Sequence, residues 1–327
     1  MKHLRFKVFG IILVLAASLP AWSQTCQNKD EMPEPTRTAL QTAAQQVFDQ
    51  TASGDVNSLK ASAVPSLQSN FNGIATAVSD NKDAIKDAKP QLRNIYLIDT
   101  GLTPPEDGTY YCGVFGATGM SPSTAEFDIP GLQPGKYAIT IQDFIGNKGP
   151  YSITAIFQDI NGWKLAGYYF RPGAAIGHDG LWYLQQARDY KNKGQVHNAW
   201  FYYLTSWDLL APVTFMKTTM LNNIAKEFTT IQPKDVAAFG TPVTFSANGK
   251  NYNITDMSIY PTDKSFDLSI RYSVPSTADF NGTQADARAL ANAMVAKYPE
   301  LKDGFGNVWV HAVDPNGGDV VGLVKLK

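Results

Sequence analysis

The sequence predicts an α+β protein, in which short helices come first, a meander of strands follows, and a second group of helices and strands closes the chain. Three observations carry this reading. Leu40, Ala43, Ala44, Val47 and Phe48 recur at the spacing of one helical face. Between residues 94 and 170, six apolar segments are separated by Gly-, Pro- and Asn-rich turns, with Asn161-Gly162 the strongest hairpin signal. Near the end, Ala287, Leu290, Ala291, Met294, Val295 and Tyr298 form an amphipathic helix flanked by strand patterns. Helices and strands that come in runs, without strict alternation, point to α+β and away from a parallel α/β sheet.

The chain opens as a secretory leader. Lys2, Arg5 and Lys7 make a basic front, residues 9–19 are apolar, and Ala21-Trp22-Ser23 places small residues at the peptidase pocket. Cleavage is expected after Ser23, leaving a periplasmic or secreted product. The apolar run is too short to span a bilayer comfortably, so no transmembrane anchor is expected after processing. Cys26 lies just past the cut, but Ser23 and Thr25 are not the aliphatic and small residues that a lipidation site needs.

Lysine plus arginine number 28 against 29 aspartate plus glutamate; loss of the three leader cations leaves 25 against 29. That mild acidity, with no basic stripe, argues against a nucleic-acid partner. The two cysteines, Cys26 and Cys112, are expected to form one disulfide in an oxidising compartment, worth about 4 kcal/mol through loop closure. No Cys/His spacing supports a metal, and no cofactor motif is present.

The elements follow in order after a polar tail at 24–35. The first helix ends at Ser53-Gly54-Asp55, where Gly54 suits a left-handed terminator and Asp55 caps the next helix. Short helices continue to Pro65 and through Phe71, Ile74, Ala75 and Val78. Strands are expected at 94–99, 109–115, 124–129, 136–144, 151–158 and 163–170. Residues 44–56, followed by a short leucine-containing helix and Pro65, resemble the opening of ketosteroid-isomerase-like (nuclear-transport-factor-like) domains, and the hairpin over 152–170 resembles their final strands. The resemblance covers about 36–172. It implies a curved sheet wrapped around helices as a cone, with a mouth that binds a ligand or is filled in.

Residues 173–232 read as a helical segment. Ala187, Tyr190, Gly194, Ala199, Tyr203 and Ser206, with Pro212 following, are similar to one tetratricopeptide helical hairpin. A single such unit needs a neighbour to pack on, and a further helix over 218–228 supplies part of that surface. Residues 233–327 read as a small α+β unit: a hairpin at Asn248-Gly249, strands near 258–260 and 265–274, a helix whose start resembles a Thr283/Asp286 capping box, and a closing hairpin over 307–325.

Candidate chemistry is sparse. His178-Asp179 lies in a glycine-rich loop, the best single place for a polar site, although the preferred role for Asp179 is to cap the following helix. Inside a cone mouth, Asp143, Asp159 and Tyr110 are candidate acid–base groups, each with a turn or surface role that fits as well. His197 is expected to be exposed or satisfied by a partner. There is no Gly-x-Ser-x-Gly elbow, and Gly113–Gly119 lacks the lysine and the helix of a phosphate loop. Trp200, Phe201, Tyr202 and Trp207 make their helix apolar nearly all round, so it is either sandwiched internally or offers a partner surface.

Two functions follow as expectations. The first is an exported, non-enzymatic binding or scaffolding protein for a protein partner or a small apolar ligand. The second is an isomerase- or hydrolase-type enzyme working in the cone.

Overall fold

The computed structural model describes residues 25–113, 115–116, 119–120, 125–238, 240–262 and 265–327. The leader expected over 1–23 lies outside the described residues, as do parts of the Gly113–Gly119 bend. The fold is mixed α+β. Among the described residues no helix is long and apolar enough to cross a membrane.

The N-terminal half begins with β1 (Thr25–Asn28) and four helices, α1 (Glu34–Ser53), α2 (Val56–Ala61), α3 (Pro65–Ser69) and α4 (Asn72–Ile85). Gly54 ends α1 at φ 71°, and the Asp55 carboxylate accepts the Ser58 N–H at 3.0 Å to start α2. α2 ends at Ala61, short of Pro65, which occupies the first turn of α3, where its missing N–H costs nothing. Then come β2 (Gln91–Asp99), β3 (Thr109–Cys112), the two-residue β4 (Phe115–Gly116) and β5 (Gly119–Met120), β6 (Ala125–Asp128), β7 (Lys136–Gly146), β8 (Gly149–Asp159) and β9 (Trp163–Pro172).

β1, β2, β7, β8 and β9 form one antiparallel sheet in that order. The helices cover one face, where Leu40, Val47, Phe48 and Leu59 meet Ile95, Ala138, Ile153 and Leu165. Tyr96, Ile98, Ile139 and Ile141 point to the opposite face and pack on Tyr110 and Phe127 of β3 and β6. β7 is therefore buried on both sides, and its Tyr137-Ile139-Ile141 alternation is only half of its apolar content. A disulfide joins Cys26 of β1 to Cys112 of β3 and ties the main sheet's edge to this second layer.

Two short strands, β10 (Ala174–Ala175) and β11 (His178–Asp179), lead to α5 (Gly180–Asn192) and α6 (Val196–Leu210). β12 (Met216–Thr218) then returns to the N-terminal half and pairs with β6, with Val213 and Met216 in that half's second core layer. Lys217 Nζ secures the return, 2.6 Å from both Glu126 Oε1 and Asp128 Oδ2.

After α7 (Thr219–Thr229), a five-stranded sheet forms from β13 (Val243–Ala247), β14 (Lys250–Pro261), β15 (Phe266–Ser273), β16 (Asn307–Val313) and β17 (Asp319–Lys325). β14 is one long strand with a bulge between Ile254 and Asp256, where the sequence pattern shows two short ones. β15 and β16 are parallel, joined through α8 (Phe280–Lys297) and α9 (Leu301–Gly304). The capping box expected at Thr283 and Asp286 does not form. The cap of α8 lies four residues earlier, at Asp279, whose carboxylate accepts the Gly282 N–H at 3.0 Å.

The helical segment shares its core with this sheet. Tyr183, Trp200, Phe201 and Tyr202 belong to one continuous apolar cluster with Leu268, Ile270, Leu290 and Val310.

Candidate functional site

A chemically mixed concavity lies where the two halves meet. Its floor is the helix-free face of the first sheet. Register aligns Gln91 with Asp143, Asp143 with Ser152 and Ser152 with Arg171, so these four side chains form one polar row across β2, β7, β8 and β9. A bulge between Leu92 and Asn94 turns Arg93 onto the same row. Its guanidinium binds Asp143 bidentately, with Nε to Oδ2 at 2.6 Å and Nη2 to Oδ1 at 2.5 Å.

The opposite wall comes from the helical hairpin. Asp179, Gly180 and Leu181 open α5, Leu209 and Leu210 end α6, and Met220 reaches in from α7. Gly180 is required here because a Cβ would stand 2.5 Å from Leu210 Cγ, and Ser206 Oγ donates to the Gly180 carbonyl at 2.8 Å. Arg171 clamps the two walls by donating to both the carboxylate and the backbone carbonyl of Asp208. The cleft has a volume of about 670 Å³ and is open to solvent. Its mouth carries three exposed apolar side chains, Ile145 (72%), Leu181 (55%) and Met220 (44%), two of them from the helical segment.

The residues singled out from sequence are distributed unevenly. Asp143 and Asp179, far apart in the chain, line the same cleft. Neither is a free base. Asp143 is saturated by Arg93, and Asp179 accepts the Trp182 N–H at 2.8 Å as the N-cap of α5. His178 is exposed and stacks on Trp182 with ring centroids 3.7 Å apart. Tyr110 lies elsewhere, 2% exposed in the second core layer, where burial pushes its phenol pKa up. Asp159 terminates the Asn161-Gly162 hairpin by accepting the Gly162 N–H at 3.1 Å.

The partner-surface reading of the aromatic helix is corrected. Trp200 and Phe201 are fully buried and Tyr202 is 5% exposed, so none of them presents a surface. The middle of α6, residues 198–203, is buried: Trp200 packs on Phe228, Phe201 on Phe305, and Tyr202 on Tyr190 and Phe266. Trp207 is half-buried against the same core.

Asp179→Ala is expected to keep the fold and lower stability by about 1 kcal/mol, the usual cost of losing a cap, measured by urea denaturation. A null effect would mean that the capping bond carries no stability.

His197 is held between two carboxylates, with Nδ1 2.9 Å from Glu300 Oε1 and Nε2 3.1 Å from Asp235 Oδ1. Both ring nitrogens are engaged, so neither faces an open site. The Tyr298 hydroxyl donates to Asp235 as well. Burial opposes ionisation of Asp235, but the bonds from Tyr298 and His197 outweigh it and hold the pKa below its ordinary 3.8. The Arg188 guanidinium, aided by Tyr203, likewise holds Glu227 below 4.5. A carboxylate with a depressed folded pKa contributes stability above its unfolded value and loses it as the pH falls through the folded one. Acid titration should therefore weaken this junction below about pH 4, and Tyr298→Phe should move the acid midpoint upward in tryptophan fluorescence. A midpoint that stays in place would show that the Tyr298–Asp235 bond carries no linkage.

Among the described residues no group of His, Cys, Asp or Glu is arranged to hold a metal ion. The sequence reading did not single out Arg93, Leu209, Leu210 or Met220. Arg93 sits at a bulge that breaks the strand alternation, and its partner is 50 residues away. Comparison with family models, curated proteins and solved structures found no match to this chain.

Proposed function

We propose that this chain is an exported, non-enzymatic binding protein that takes a small apolar ligand in the cleft between a cone-like N-terminal body and the helical hairpin. The carrying observation is the cleft itself, about 670 Å³ with leucine and methionine walls and an exposed apolar mouth. That volume lies within the range of small-molecule pockets, and its polar groups lie mostly on the sheet side, with Asp179 on the opposite wall. Export rests on the leader pattern and agrees with the Cys26–Cys112 disulfide. The isomerase or hydrolase alternative needs two carboxylates free to move protons. Asp143 and Asp179, the two that meet in the cleft, are each committed to a structural bond.

The test is titration of the mature chain with N-phenyl-1-naphthylamine, a neutral apolar dye that brightens when sheltered from water. Saturable binding is expected, weakened about thirtyfold by Leu181→Ser with Met220→Ser, since each exposed side chain contributes roughly 1 kcal/mol of apolar contact. Dye binding that is absent, or that ignores both substitutions, would sink the proposal.

A further inference from the structure

The second sheet has one face on the core and one open to solvent. On the open face, Tyr260 of β14 and Trp309 of β16 flank the central strand β15. Register pairs Tyr260 with Asp267 and Ser258 with Ser269 on one side, and Ser269 with Trp309 on the other. Two strands apart means about 9.6 Å at ordinary spacing. The ring centroids are nevertheless 6.2 Å apart at an interplanar angle of 67°, so both rings lean inward over β15 and make a corner. This explains why Asp267 is fully buried and Ser269 only 8% exposed on a face that is otherwise open.

Asp267 is the unusual member. Its carboxylate accepts Asn307 Nδ2 at 3.0 Å on both oxygens and Trp309 Nε1 at 2.9 Å. All these donors are neutral, and among the described residues no cation contacts it. A buried charge without a counter-charge is costly to hold, and any cation brought near it relieves that cost. The indole N–H bond to a carboxylate also polarises the Trp309 ring, enriching the π face it offers to solvent. Tyr260 is 55% exposed and supplies a second π face. No cation of the described chain sits over either ring. Arg271 pairs in register with Asp256 and His311 one row away, and Lys325 is in register with Asn307.

We propose that the Tyr260–Trp309 corner above Asp267 binds a small, soluble quaternary ammonium compound. Aromatic faces set at an angle attract such a cation from two sides. Because Asp267 is out of reach of a ligand's hydrogen bonds, it acts only through its charge, which separates cations from neutral ligands such as sugars. The site is independent of the cleft between the two halves.

The test follows the Trp309 indole N–H resonance by NMR in the full mature chain, titrated with choline chloride against sodium chloride of equal ionic strength. The uncharged carbon isostere of choline serves as the second probe. A saturable shift with choline is expected, with binding of the isostere weaker by about tenfold. Tyr260→Ala, outside the apolar cluster, removes one ring and part of the cover over Asp267, and should weaken choline binding about fivefold. Asp267→Asn should weaken it similarly while leaving the isostere unaffected. Equal response to choline and isostere, no saturable shift with choline, or indifference to Tyr260→Ala would each overturn the proposal. So would co-sedimentation with phosphatidylcholine vesicles in the absence of any response to free choline.

Discussion

Replacing Cys26 and Cys112 together by serine is expected to lower the unfolding free energy of the N-terminal half by about 4 to 5 kcal/mol. The bridge closes a loop of 86 residues, so cutting it frees a large number of denatured conformations. Its place in the fold adds to this. β1 has only four residues and pairs with a single neighbour, β2, so without the bond little holds it at the sheet edge. Cys112 is fully buried in the second core layer, and a serine hydroxyl there needs a new hydrogen-bond partner. Urea unfolding of the native chain under reductant should show the fall due to the bridge alone, and the double variant should fall at least as far. An unchanged midpoint in both would mean that the bridge contributes nothing to stability.

Phe201→Ala should cost about 3 to 5 kcal/mol, the range for emptying a fully buried phenylalanine site. Phe201 is completely buried and meets Phe305 edge to face, with centroids 5.9 Å apart at 82°. The void would open where α6 meets the end of α9, and that contact is otherwise held by the Tyr202 hydroxyl on the Gly304 carbonyl at 2.7 Å. Because the helical hairpin and the second sheet share one core, the loss should unfold both together, seen as one earlier thermal transition. A variant with unchanged stability and altered partner binding would return Phe201 to the surface role that its burial argues against.

How much was legible differs from element to element. The terminator at Gly54, the cap at Asp55, the Asn161-Gly162 and Asn248-Gly249 hairpins and the closing pair of strands are all local, and the folded chain has them where the pattern predicts. Such signals depend on backbone geometry within a few residues, so a linear reading captures them. The start of α8 was misread because Thr283 and Asp286 mimic a capping box, while Asp279, nearer the true start, makes the bond. The strand near 258–260 reads as separate from the Asn248-Gly249 hairpin because a bulge interrupts the alternation without ending the strand. Asp143 and Asp179 were named separately, but nothing in the chain order reveals that they line one cleft.

The aromatic helix shows the limit most clearly. Its all-round apolar character is written in residues 200–207, but the same pattern serves a sandwiched helix and a sticky surface equally well. Neighbours distant in sequence, Phe228, Phe266 and Phe305, decide between them.

By itself, the sequence determined the α+β class, the order of the longer helices and strands, though not the short β1, β10, β11 and β12, and the two cysteines available for a bond. Those follow from periodicity, turn chemistry and composition, which act over a few residues. Only the tertiary structure decided that Cys26 and Cys112 tie two sheet layers together, that α6 is core, that Arg93 neutralises Asp143, and that Tyr260 and Trp309 close over Asp267. Each of these joins residues tens of positions apart. Burial and charge pairing depend on distance in space, and that distance exists only once the sheets have formed.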